Sequence, residues 1–172
     1  WSSDVCSSDL SSFRTTGFKN IMVYKIKCIL KSLEEGYLTF YIDTDIVVKN
    51  NFVLDYFRYE YKDIYFQNDL PNFKKQLGQV CAGVMFIQPT QSNINIFNSI
   101  IYDTKKRPVG KMDDQGVINK MIKKRKIKHE NIGLLSSYDY PNGARYFKSG
   151  KKFDDNKLQL RSEEHTSELQ SP

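Results

Sequence analysis

The stretch Tyr37-Leu38-Thr39-Phe40-Tyr41-Ile42-Asp43-Thr44-Asp45-Ile46-Val47-Val48 constrains the chain more than any other. An apolar strand runs into two carboxylates one residue apart and then resumes as an apolar run. Carboxylates at the end of a buried strand are costly unless something cationic meets them. Residues i and i+2 of a strand point to the same side, so the pattern predicts that Asp43 and Asp45 face one ligand together. In an open α/β sheet the carboxyl ends of the strands are where ligands bind. A capped turn is the plainer reading, since Asp is common in turns. The abrupt change from apolar strand to paired acids favours a site.

The two ends of the chain have a different character. Residues 1–10 and 161–172 read as translations of opposite strands of one sequencing adapter. Both are expected to be scars and, like tags, to say nothing about the fold. The natural segment is then 11–160, expected to be cut from a longer gene at both ends. The scars carry a net −4, from Asp4, Asp9, Glu163, Glu164 and Glu168 against Arg161, so the whole-chain +6 becomes +10 for 11–160. That sign suits anionic partners, although a Lys-, Asn- and Ile-heavy composition accounts for much of it. Cys28 and Cys81 lie in apolar sequence and are expected to be small buried hydrophobes, not a disulfide framework. No apolar run in this fragment approaches the length of a transmembrane helix.

Along 11–160, periodicity separates helices from strands. Phe18, Ile21, Met22, Ile26, Ile29, Leu30 and Leu33 recur at helical spacing, with Gly36 as the stop. Residues 37–42 form the strand that delivers the acids. Residues 52–57 predict a short helix and 63–66 a strand. Val80 to Ile87 is a continuous apolar run ended by Pro89, which predicts a strand buried on both faces. Ile94, Phe97, Ile100 and Ile101 mark the next helix, and Lys105 to Lys111 a basic loop. Asp113 and Asp114 open a further helix whose first turn favours acids. Its stripe is Val117, Ile118, Met121 and Ile122. Residues 132–135 predict a strand, and Pro141-Asn142-Gly143 a turn. Alternating helix and strand make this an α/β chain.

Two carboxylates side by side suit a hard cation, Mg²⁺ or Mn²⁺, which takes oxygen ligands and recruits substrate phosphates to complete its shell. Two enzyme classes use such a pair. Asp43-Thr44-Asp45-Ile46-Val47-Val48 matches the first motif of haloacid-dehalogenase-type phosphatases, with Asp43 as nucleophile and Asp45 as general acid/base. Thr90 is a weak second match there, and Lys111 with Asp113 or Asp114 could stand in for the remaining motifs.

The other class is carried by order and spacing. Lys25 lies in the helix before the acids, Ala82-Gly83-Val84-Met85-Phe86-Ile87 follows some forty residues after them, and Asp114-Gln115 opens a later helix with Asn119 behind. Together with Pro141-Asn142-Gly143-Ala144-Arg145-Tyr146-Phe147, these stretches resemble the nucleotide-diphospho-sugar transferase family, over roughly residues 18–147. The resemblance implies a GT-A (Rossmann-like) fold, here partial. It also implies a metal-dependent glycosyltransferase that moves a sugar from a nucleotide-sugar donor, expected to be a UDP-sugar, to a glycan or protein hydroxyl.

The family's roles then fall on particular positions. The resemblance implies that Asp43 and Asp45 bind a metal and contact the donor, and that Lys25 meets the donor's negative charge. Ala82 and Gly83 pass close to the donor sugar, and Asp114 and Gln115 lie beside the transferred sugar. The plainer readings are a solvated helix lysine for Lys25, a tight spot in a sheet for Gly83 and a helix cap for Asp114. Asn142-Gly143 matches a family turn and carries no assigned chemistry.

This chain departs from the pattern in two places. Cys81 stands where many relatives have Asn. No His matches the family's third metal ligand, because His129 precedes the Pro-Asn-Gly turn and His165 lies in the expected scar. The unit that holds the nucleotide base would precede Ser11, so the fragment is expected to be an incomplete enzyme. Members are often Golgi or endomembrane lumenal, but the compartment of this chain is left open. Lys120, Lys123-Lys124-Arg125-Lys126 and Lys128 form a basic run, read as a solvated helix end and not as a nucleic-acid patch.

Overall fold

The computed structural model describes residues 15–50, 62–69, 79–109, 113–148, 152–153 and 158–162. The first helix, α1, spans Thr16–Glu34 and starts where the Thr15 side chain accepts a hydrogen bond from Phe18 N at 3.3 Å. It buries Val23, Ile26, Ile29, Leu30 and Leu33 along one face. Its end is a Schellman turn: Tyr37 N donates to Ser32 O and Gly36 N to Leu33 O, both at 3.0 Å. Gly36 has φ +83°, left-handed backbone that glycine adopts without a Cβ penalty, so it is the stop its position suggested. Cys28 corrects an expectation. It lies on the outer face of α1 and is exposed, because its neighbours in apolar sequence turn the other way.

The elements that follow are β1 (Thr39–Ile42), β2 (Ile46–Val48), β3 (Ile64–Asn68), β4 (Val80–Ile87), α2 (Gln91–Lys106), α3 (Asp114–Lys123), β5 (Ile132–Leu134), α4 (Gly143–Lys148) and β6 (Leu160–Ser162). The main sheet has the order β1-β4-β3-β5. β4 runs antiparallel to both neighbours, and β5 joins β3 in parallel. A separate ribbon pairs β2 with β6. The expected boundary after Leu160 falls inside β6. The basic loop begins at Arg107, since α2 continues through Lys106. Gly143 opens α4 instead of ending a turn. The helix expected at 52–57 lies outside the described residues.

β4 is the central strand and is buried along nearly its whole length, as its apolar run requires. On one face Val80, Ala82, Met85 and Ile87 join Ile64 and Phe66 beneath the helices, against Ile26, Leu33, Phe97, Ile100, Val117, Ile118 and Ile122. On the other face Val84 and Phe86 pack with Tyr65, Leu135 and Tyr140, flanked by Leu38, Phe40 and Ile42 of the first strand region. Each large apolar side chain removed from water in these layers contributes ~1.5–3 kcal/mol, which is what clamps helices and sheet together.

One irregularity interrupts β4. Phe66 is opposite Met85, but the next residue, Gln67, is opposite Cys81, so Ala82, Gly83 and Val84 have no register partner on β3. A bulge of this kind bends a strand and frees backbone groups, often beside a site.

Candidate functional site

The bulge and the end of β1 meet under α1 and α3. β1 ends at Ile42, and Asp43 N donates to Gly83 O at 2.8 Å, one step past the regular ladder. The chain then turns, with Ile46 N donating to Asp43 O at 3.2 Å. Asp43 and Asp45 therefore flank a turn between two strands and are not alternate residues of one strand. The strand ends here, and β2 beyond the turn pairs with β6 while β1 pairs with β4.

Tyr41 lies on the helix-facing side of β1, and Asp43 continues that side. There it meets Lys25. The Lys25 Nζ lies 3.1 Å from Asp43 Oδ1 and 2.9 Å from Asp114 Oδ2, and donates to Ala82 O at 3.0 Å. It also sits 4.4 Å above the centroid of the Tyr41 ring, whose hydroxyl donates to Asp43 Oδ1. Lys25 and Asp114 keep only 7% and 6% of their side-chain exposure, against 38% for Asp43. Lys25 is thus no solvated helix lysine. Burial by itself would lower its pKa, but the Asp114 and Asp43 carboxylates outweigh burial and hold the ammonium above its ordinary value. Burial first, then the Asp43 carboxylate, pushes the Tyr41 phenol far upward, so it remains a hydrogen-bond donor.

α3 supplies the other wall. Its N-cap is Asp113, whose carboxylate accepts from Gly116 N at 2.7 Å. Asp114 is therefore not the cap, and its side chain is turned inward to Lys25. Gln115 Oε1 accepts from Ala82 N at 3.2 Å, and Gln115 Nε2 donates to Asp69 Oδ2 at 3.1 Å. Lys25 and Gln115 between them take the C=O and N–H of Ala82, a residue that the bulge removes from the β3 register. Gly83 brings the β4 backbone close to Asp43: a Cβ there would stand 3.0 Å from Asp43 Oδ2, a tight contact.

Lys25, Asp43, Ala82, Gly83, Asp114 and Gln115 are therefore brought together, and Asp45 lies one turn away. Asp45 is near enough to act electrostatically on Tyr41. Among the described residues no group of three His, Cys, Asp or Glu forms a ready metal cage. Cys81, in the position where many relatives have Asn, turns its Sγ back to accept from Gly83 N at 3.4 Å. Burial pushes this thiol up to about 12, so it stays protonated. The His129 ring packs at the far end of α3, with Nε2 3.2 Å from Ile122 O, and takes no part in the site.

Two residues of the site escaped the sequence reading. Asp69 follows β3, and Asn142 donates to Asp69 Oδ1 and to Asn68 O, both at 3.3 Å. Asn142 was legible as a turn residue, but nothing local to either residue signals their meeting.

A model of the nucleotide-diphospho-sugar transferase family matches residues 3–160. The chain belongs to that family. The match begins within the stretch expected to be adapter-derived and ends at Leu160. Family membership sets aside the phosphatase resemblance, and the geometry agrees. Thr90 is the N-cap of α2, Lys111 lies outside the described residues, and the cation on Asp43 is Lys25.

Two curated relatives are similar over 83% of this chain. One is a UDP-galactose:fucoside alpha-3-galactosyltransferase of Dictyostelium discoideum, 30% identical. The other is a UDP-D-xylose:L-fucose alpha-1,3-D-xylosyltransferase of Arabidopsis thaliana, 28% identical. The chain spans 24% and 43% of their respective lengths. A glycosyltransferase involved in the glycosylation of the major capsid of PBCV-1 superposes with a TM-score of 0.62 at 12% identity, covering 88% of this chain and 74% of its own. The α/β architecture is thus GT-A-like, as the sequence implied.

Proposed function

We propose that the protein of which this chain is part transfers a sugar from a UDP-sugar to a hydroxyl of a glycan or protein. The observation that carries this reading is the placement of Lys25, buried between Asp43 and Asp114 against the Ala82–Gly83 backbone. One ammonium between two carboxylates leaves a net negative charge of one on the cluster, which a bound divalent cation would reverse, so that an anionic leaving group could settle there with a sugar next to it. Both relatives named above carry a UDP-sugar donor and a fucose acceptor in their names, so a fucose-bearing acceptor is the first to try.

The donor set also fits a divalent cation. Asp43 and Asp45 are oxygen ligands of the type Mg²⁺ and Mn²⁺ take, and Asp43 keeps 38% of its side-chain exposure. Such an ion would supply charge neutralisation for the departing diphosphate. Lys25 adds positive charge on the same side and keeps Asp43 and Asp114 oriented. Asp114 and Gln115 orient the sugar, and Ala82–Gly83 lets backbone approach it. The Tyr41 hydroxyl holds Asp43 in place from below.

The test uses the full-length protein, Mn²⁺, and UDP-galactose or UDP-xylose, with and without a fucoside. Donor turnover that needs the metal and falls at least ~100-fold in Asp43→Asn is expected, as for loss of a principal electrostatic group. Hydrolysis of an aryl phosphate without any use of UDP-sugars would overturn the reading.

A further inference from the structure

The side of β4 that β1 covers is incomplete. β1 pairs with Val84 through Ile87, and Asp43 N adds one bond to Gly83 O. Val80 and Ala82 lie past its end, deep in the core, where unpaired peptide groups would be expensive. Side chains of α3 take the place of a strand there. Asn119 Oδ1 accepts from Val80 N at 2.8 Å and Asn119 Nδ2 donates to Val80 O at 2.9 Å. One turn earlier Gln115 Oε1 accepts from Ala82 N.

The spacing explains why a helix can do this. Positions i and i+4 of a helix share a face and rise about 6 Å. Positions i and i+2 of a strand advance about 6.8 Å. Gln115 and Asn119 therefore fall in step with Ala82 and Val80, running in the opposite direction, and Lys25 closes the set at Ala82 O.

We propose that Asn119 is a positioning residue. With Gln115 it makes α3 the neighbour that β4 lacks before Gly83, and so holds the Ala82–Gly83 backbone against Asp43. The role concerns donor binding and rests on the glycosyl-transfer reading above. Asn119 touches no reacting atom. It acts through Val80, three residues from Gly83, and rides on the same helix that carries Asp114.

The experiment pairs two measurements on the full-length protein with Asn119→Ser and Asn119→Asp. Asp keeps an acceptor for Val80 N but loses the donor to Val80 O, so it tests the ladder even if Ser fails to fold. Amide hydrogen exchange should quicken roughly tenfold at Val80 in the Ser variant, less in the Asp variant, with Phe86 unchanged. The KM for the UDP-sugar should rise roughly five- to tenfold while kcat stays within about twofold. Ile122→Val, on the same helix but inside the core, serves as a stability control that leaves the KM unmoved.

Unchanged exchange at Val80 and Ala82 overturns the ladder. Faster exchange with an unchanged KM overturns the positioning role. A wild-type protein that binds no UDP-sugar overturns the functional reading and this role with it, while the exchange data still report on the α3–β4 bonds.

Discussion

Two lysine environments in this chain show opposite uses of the same side chain. Lys25 stands among apolar residues on α1 and is buried with two carboxylates at 2.9 and 3.1 Å. The run from Lys120 to Lys128 carries far more charge, yet its ion pairs are long and wet. Lys126 is 4.0 Å from Asp103, and Lys128 is 3.8 Å from Glu130 with both side chains more than 70% exposed. Exposed pairs of this kind are worth ~0–1 kcal/mol, whereas breaking a buried pair strands an uncompensated charge at a cost of several kcal/mol. Charge density along a sequence is therefore a poor guide to where charge matters; burial and partners decide.

The contrast can be broken most directly at Lys25. Lys25→Met leaves Asp114 buried without its cation and is expected to lower stability by ~3–5 kcal/mol in urea unfolding. Adding Asp114→Asn should recover a large part of that loss, and a failure to do so would mean that the pair is not what makes the site costly. Gly83→Ala comes next. Its methyl would stand 3.0 Å from Asp43 Oδ2, and because Lys25 and Tyr41 already hold Oδ1 the carboxylate has little room to give, so a loss of ~1–3 kcal/mol in urea unfolding is expected.

Asp113→Ala separates the two neighbouring acids of α3. Losing the cap should cost ~1 kcal/mol, seen as a lower urea midpoint, while Asp114 keeps Lys25. A much larger loss would show that Asp113 also supports the buried pair. At the other end of the scale, Lys126→Gln and Lys128→Gln should each change stability by less than ~0.5 kcal/mol and leave donor turnover unaltered. A strong effect from either would erase the distinction between the two regions.

Local signals carried a good deal of this architecture. The 3.6-residue stripes located α1, α2 and α3, the apolar run located β4, and Gly36 marked a helix end that its φ of +83° confirms. Cys28 shows where such reading stops. Apolar neighbours along the chain said buried, and the helix turned it outward. Asp43 and Asp45 were also recognisable, but their relation was misjudged as strand alternation, since the departure of β2 to pair with β6 is a long-range event.

What the sequence by itself determined is the order of elements, the acid pair at the end of an apolar strand, and membership in a family through motifs in a fixed order. Each depends on residues near one another in the chain, where helix and strand periods leave a direct imprint. The tertiary structure alone decided that Lys25 is the shared cation, that Asp113 caps α3 so that Asp114 can turn inward, and that Gln115 and Asn142 meet at Asp69. It also decided that α3 finishes the covered side of β4. Those contacts follow from the bulge at Ala82–Gly83 and from how α1 and α3 settle on the sheet. Packing of whole elements sets them, and no local period encodes it.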